Sequence, residues 1–206
     1  TSDSIPKLNY NYRNIGSENY KNQGHMAIYS KYPQFNQQTI SIKDEKMSNT
    51  CIYSDIIIKE DTFRVYNIHL ASNWFNSSDY SFIDNPNKEN LKSGILGIME
   101  KMKNSYKKRA EEVLVIKEHM KNSPYPLIVC GDFNDTPLSY SYHIITQNLI
   151  DSFRVSAKGF GDTYVKIPAL RIDYILHDEQ FNSTNYQKHN EILSDHYAIS
   201  CEIIIP

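Results

Sequence analysis

The stretch that most constrains this chain is Leu127-Ile128-Val129-Cys130, an apolar run that follows Pro126 and breaks off at Gly131-Asp132-Phe133-Asn134-Asp135-Thr136-Pro137. Four successive apolar side chains are the pattern of a strand covered on both faces, and the glycine permits a sharp turn where the strand emerges. In sheets flanked by helices, ligands collect at the carboxyl ends of the strands. Asp132 and Asn134 would then project toward a cleft while Phe133 packs behind them. A plainer account also exists: Asp and Asn favour bends, which explains Asp-x-Asn-Asp-x-Pro without any site.

The 206 residues fit one large domain, and 40% hydrophobic content supplies its core. We expect a single domain over residues 1–206, with residues 1–23 a polar, irregular lead-in. A net charge of −2 and a pI near 6.4 exclude a protein that holds nucleic acid by bulk electrostatics, which takes a basic stripe. A nucleic acid substrate stays open, but unassisted. Cys51, Cys130 and Cys201 sit among aliphatic or β-branched neighbours at no metal spacing, and read as buried thiols. No apolar run reaches membrane-spanning length, and residues 1–20 hold no signal-peptide hydrophobic region, so the chain as given reads as soluble.

Taken in order, residues 24–33 read as a short strand closed by Lys31-Tyr32-Pro33. Ile40 and Ile42 alternate with Thr39 and Ser41, and Cys51 to Ile58 forms a longer strand. Lys59-Glu60-Asp61-Thr62 turns it into Phe63 to Leu70. Alternation puts Phe63, Val65, Asn67 and His69 on one face of that strand, with Arg64, Tyr66, Ile68 and Leu70 on the other. His69 thus stands at the far end, where a lone histidine is more often a core or surface residue than a catalytic one. Residues 71–87 read as a loop. From Lys88 to Asn122 the apolar positions Leu91, Ile95, Ile98, Met102, Tyr106, Ala110, Val113, Ile116 and Met120 recur every three or four residues, the pattern of an amphipathic helix ended by Ser123-Pro124. Its Lys101, Lys103, Lys107, Lys108 and Arg109 could touch phosphate or an anionic membrane. Because Glu100, Glu111 and Glu112 interleave, we read them as a solvated face. Ser139 to Asn148 has helical spacing, residues 159–164 form a loop, and strands over Arg171 to His177 and Tyr197 to Ile205 close the chain.

Three polar groups stand at strand ends: Asp132 with Asn134, Asp173 in an otherwise apolar strand, and Asp195 with His196. Burying Asp173 in Ile-Asp-Tyr-Ile-Leu is costly without a partner, and a histidine gains most from one, being oriented and kept cationic. We therefore pair Asp173 with His196. Asp195 is then free to face a divalent cation, since hard oxygen ligands suit magnesium, manganese or calcium.

Gly24 to Pro33, Asn67-x-His69-Leu70, Gly131-Asp132-Phe133-Asn134, Arg171-Ile172-Asp173-Tyr174 and Ser194-Asp195-His196 occur in the order found in the endonuclease/exonuclease/phosphatase superfamily. From about residue 24 to its end the chain resembles that family, and its helical region and the run from Tyr125-Pro126 to Tyr142-His143 look most like the Bacteroidetes branch. The resemblance implies a deoxyribonuclease I-like α/β (α+β) fold, a four-layer sandwich of two mixed β-sheets flanked by helices, and metal-assisted hydrolysis of a phosphate ester. Carried over residue by residue, it implies that Asp132 activates or positions the attacking water and that Asn134 holds a nonbridging phosphate oxygen. His69 would be a second phosphate contact. His196, fixed by Asp173, would bind the phosphate and stabilise its growing charge, and Asp195 would help hold Mg2+, or Mn2+ or Ca2+, or its waters.

The family pattern begins with segments absent here, one of which ends in Gln-Glu and supplies the main metal ligand. The only glutamate before Gly24 is Glu18. The chain therefore reads as the domain without its amino-terminal portion, one sheet short of strands, and we expect it to be weakly active by itself. The implied partner is a phosphate-ester substrate: nucleic acid, phospholipid or small phosphoester. No protein partner is implied and a monomer is expected, with a membrane, in the bacterial cell envelope, involved only through an upstream anchor on a longer parent. The rival reading is a non-catalytic phosphate-ester-binding module that kept the fold.

Overall fold

Period-two alternation builds the sheet on which the rest is laid. The computed structural model describes residues 10–16, 26–40, 51–73, 75–85 and 91–206. Its strands are β1 Tyr12–Ile15, β2 Ala27–Ser30, β3 Gln34–Ile40, β4 Cys51–Ile58, β5 Asp61–His69, β6 Leu127–Asp132, β7 Leu149–Asp151, β8 Asp173–Asp178, β9 Asn182–Lys188 and β10 Ile199–Ile204. The helices are α1 Ser77–Asp84, α2 Leu91–Lys121, α3 Tyr140–Thr146 and α4 Ser152–Ser156. Six strands form one mixed sheet in the order β3-β4-β5-β6-β8-β7, with β5 and β6 parallel and the other pairs antiparallel. The expected second sheet is represented, among the described residues, by two separate two-stranded pieces, β1-β2 and β9-β10.

Each face of the sheet carries its own apolar layer. Cys51 and Tyr53 of β4, Tyr66 and Ile68 of β5, Val129 of β6 and Leu176 of β8 meet Val113, Ile116 and Met120 of α2 and Tyr142 and Ile145 of α3. On the other face Ile52 and Ile56 meet Met26 and Ile28 of the β1-β2 hairpin, with Val65 packed alongside. The facing expected for β5 therefore holds. Apolar burial on both sides, roughly 25 cal/mol per Å², holds the layers together, and buried ion pairs tie their polar joints. Arg64 donates to Asp55 at 2.6 and 2.8 Å, and Arg171 donates to Asp151 at 2.8 Å. Cys51 is buried, Cys130 and Cys201 are partly so, and all three are free thiols.

Three expectations need correction, and one strand had gone unread. The lead-in is not wholly irregular: Tyr12–Ile15 pairs with β2, and Asn14 is buried, its amide donating to the Tyr53 carbonyl at 2.8 Å. Residues 71–87 contain α1, which a capping box begins. The Asn76 side chain accepts from the Asp79 backbone at 3.0 Å, and the Asp79 carboxylate accepts from the Asn76 backbone at 2.7 Å. The polar stretch Asn182–Lys188 is β9; its exposure leaves it no apolar alternation to read. Last, only the carboxyl-terminal half of α2 is a core helix. Val113, Ile116 and Met120 are buried, whereas Leu91 and Ile95 are 42% and 44% exposed. Gly24, His25, Glu18, Ile42 and the Lys88 start of the helix lie outside the described residues.

One backbone contact decides where β6 can sit. Gly131 has φ +144°, and a Cβ there would lie 1.9 Å from the Ile68 carbonyl oxygen. Any side chain must push β5 and β6 apart. We predict that Gly131→Ala costs about 2–4 kcal/mol, read as a lowered urea midpoint; an unchanged midpoint would mean that the two strands do not approach as closely as this.

Candidate active site

The strand register assembles the site. The parallel pairing of β5 with β6 puts His69 opposite Asp132, and the antiparallel pairing of β6 with β8 puts Asp132 opposite Asp173. His69, Asp132 and Asp173 thus stand in one row across three neighbouring strands, at the same end of the sheet. The ladder continues past the strand ends: Leu70 N–H donates to the Asp132 carbonyl at 3.0 Å, and Phe133 N–H to that of Ile172 at 2.8 Å. Phe133 is fully buried behind the row, its ring centroid 4.7 Å from that of Tyr174 and tilted by 37° to it.

His196 arrives from the segment between β9 and β10, which is stitched to the loop before β8. Val165 N–H donates to the Asp195 carbonyl at 2.9 Å and Tyr197 N–H to that of Thr163 at 2.8 Å. The Thr163 hydroxyl is buried and accepts from the backbone of Ile172 at 3.0 Å and of Asp173 at 3.1 Å. It joins the two segments that carry Asp173 and His196. The expected pair forms: His196 Nδ1–H donates to Asp173 Oδ2 at 2.8 Å. Its Nε2 then faces Asp132, whose Oδ2 lies 3.9 Å away, and the His69 Nε2 lies 3.8 Å from the same oxygen.

The electrostatics follow from this geometry. Burial, and then the Asp173 carboxylate, push the Asp132 carboxyl up to about 7. The Asp173 hydrogen bond raises His196 above the ordinary histidine value. Partial burial, then the neighbouring His196 imidazole, push His69 below it. Asp132 is held by Asn134, whose backbone N–H donates to Oδ1 at 2.7 Å and whose side-chain amide donates to Oδ2 at 3.0 Å. That amide also donates to the Leu70 carbonyl at 3.0 Å. Both Asn134 donors are therefore engaged within the protein, and the residue acts here as the brace of Asp132. Its φ of +50° is a left-handed conformation that Asn tolerates better than most residues.

Asp132, Asp173 and His196 each offer one ligand atom, all within 4.8 Å of one another. Two carboxylates, one with a pKa raised by burial and by the other, form a donor set that fits a hard divalent cation. Asp195 is exposed and borders the same cleft, but it is not a member of this convergent trio. A cation bound at this trio would find two carboxylates, Asp132 and Asp173, that the sequence reading had not assigned to it.

Three further residues at or behind the site escaped sequence reasoning. Arg109 is no part of a solvated face: it is completely buried and lines the cleft. Its guanidinium donates to Asp135 at 3.1 Å, to the Ala71 carbonyl at 2.7 Å and to Asn73 Oδ1 at 3.2 Å, tying the loops after β5 and β6 to α2. Glu112, one turn on, accepts from Ala71 N–H at 2.8 Å. The signal was available in the helical phase, because Arg109 and Glu112 fall on the stripe of Val113, Ile116 and Met120. Tyr164, buried and bridged to His196, carried no such signal.

Comparison with known proteins agrees with this architecture. Among solved structures the chain is similar to an endonuclease/exonuclease/phosphatase protein from Bacteroides vulgatus, at 16% identity and TM-score 0.68, over 98% of this chain and 79% of that one. It is also similar to a mannosyl-6-phosphatase from Bacteroides thetaiotaomicron, at 17% identity and TM-score 0.63, over 96% and 78%. The human Nocturnin catalytic domain with bound sulfate matches at 15% identity and TM-score 0.64, over 98% and 74%. No curated protein matches the sequence. The model of the Endonuclease/Exonuclease/phosphatase family matches residues 2–196, and with the fold described above this places the chain in that family.

Proposed function

We propose that this chain is a divalent-metal-dependent phosphoesterase that hydrolyses phosphodiester or phosphomonoester bonds by in-line attack of water. The observation that carries the reading is the row of His69, Asp132 and Asp173 closed by the Asp173–His196 pair, with three ligand atoms within 4.8 Å. Asp132, with Asp173 beside it and Asp195 at the rim, would hold Mg2+, Mn2+ or Ca2+. A cation bound there supplies charge neutralisation for the phosphate.

The protein's own groups do the rest. Asp132, braced by Asn134, orients the water and takes its proton as the new P–O bond forms and the ester P–O bond breaks. The departing alcohol oxygen takes a proton from solvent, to which Asp132 later returns the one it gained. His196, held cationic by Asp173, presents Nε2 to a nonbridging oxygen and stabilises the charge that grows there. His69, on the other flank of Asp132, is a second contact to phosphate.

The experiment is hydrolysis of a chromogenic phosphodiester and a phosphomonoester with magnesium and with chelator. We expect chelator-sensitive turnover, reduced about 10²–10⁴-fold by Asp132→Ala. Turnover that ignores both chelator and substitution would overturn the assignment.

The imidazole pair gives a test that needs no turnover. In metal-free protein, NMR titration should place His196 above and His69 below the ordinary histidine value, and Asp173→Asn should bring His196 down. A histidine whose pKa is raised on folding contributes stability that is fully present below its unfolded value, near 6.5, and is lost as pH climbs through the folded one. Asp173→Asn should therefore destabilise the protein more at pH 6 than at pH 9. Equal losses at the two pH values would mean that the pair does not form.

A further inference from the structure

The catalytic row accounts for only part of the cleft. The cavity, about 620 Å³, falls in the range of roughly 300–1,000 Å³ typical of small-molecule sites and is far larger than a phosphate group. Much of its remaining lining is apolar: Phe75, Tyr80, Met102, Tyr106, Tyr164 and Leu170. Four of these come from the region of α1 and the first half of α2, and two from the loop before β8. None belongs to a sequence motif of the catalytic set.

The rings are held in place and reach the reacting centre. Phe75 meets Tyr80 edge to face, with centroids 5.9 Å apart. The Tyr80 hydroxyl lies 3.2 Å from that of Tyr164, and the Tyr164 ring packs edge-on against the His196 imidazole at 5.2 Å. The Arg109 guanidinium sits 4.8 Å from the Tyr106 ring. A group attached to a phosphate at His196 would meet aromatic faces without any of them having to be ordered first, which favours binding. Three cations beside the cleft are engaged: Arg109 with Asp135, Lys101 with Asp79, and Lys166 over the Tyr80 ring at 5.1 Å. A long polyanion would need a free basic track, which these residues do not supply.

We propose that this wall is a subsite for a compact apolar ring carried by the alcohol part of the ester, which makes the substrate class a small aryl-type phosphoester rather than a nucleic acid strand. The proposal rests on the phosphoesterase reading and names the substrate of that same site.

The test compares binding of phenylphosphonate and methylphosphonate to the full chain with magnesium, by calorimetry, and so does not depend on turnover. Phenylphosphonate should bind at least about tenfold more tightly. Tyr106→Ala and Met102→Ala should each cut that ratio severalfold, while Tyr106→Phe, which keeps the ring, should preserve it. Circular dichroism melting of each variant identifies any that fails to fold, and the Phe variant keeps the comparison decisive in that case. Equal affinities for the two phosphonates, with both bound, would overturn the subsite and leave the phosphoesterase reading standing. Binding of neither, together with no phosphoester hydrolysis, would remove both. A short DNA duplex that displaces phenylphosphonate at lower concentration than methylphosphonate does would also overturn the subsite, in favour of a nucleic acid substrate.

Discussion

Everything at the site depends on β6 being paired on both sides in one register. Its parallel ladder with β5 and antiparallel ladder with β8 align His69, Asp132 and Asp173. A slip of one residue would turn Asp132 to the opposite face of the sheet. Gly131 makes that register tight, because its α-carbon stands against the Ile68 carbonyl where no side chain fits. The same contact that stabilises the sheet thereby sets the spacing of His69, Asp132 and Asp173.

Three buried carboxylates and the half-buried Asp132 are held in different ways. Asp55, Asp135 and Asp151 each receive an arginine, Arg64, Arg109 and Arg171, at 2.6–3.1 Å, so that a charge in a poorly solvated place is compensated directly. Asp132 has no such partner in contact. It lies between two imidazole nitrogens at 3.8 and 3.9 Å and beside Asp173, and its carboxyl rises to about 7. A raised carboxyl pKa in a cleft is the mark of a group suited to proton transfer or to a cation, whereas the arginine-bound carboxylates tie neighbouring strands and loops together.

Helix α2 joins these roles in one element. Its carboxyl-terminal half packs Val113, Ile116 and Met120 into the core, Arg109 anchors the loops after β5 and β6, and Met102 and Tyr106 border the cleft. Among the described residues no helix is long and apolar enough to cross a membrane.

The sequence by itself determined the strand that ends at Asp132, the β4-β5 hairpin and its facing, the carboxyl-terminal stripe of α2, and the pairing of Asp173 with His196. These are legible because alternation, helical phase and the cost of burying a lone carboxylate all act within a few residues. Only the tertiary structure decided that Arg109 is buried, that Asn134 spends its donors on Asp132 and Leu70, that Asn182–Lys188 is a strand, and that aromatic side chains from α1, α2 and the loop before β8 form one wall. Each of those outcomes depends on which distant segment supplies the partner. A charged side chain is solvated or buried according to whether Asp135 and the Ala71 carbonyl meet it, and neither is near Arg109 in the chain.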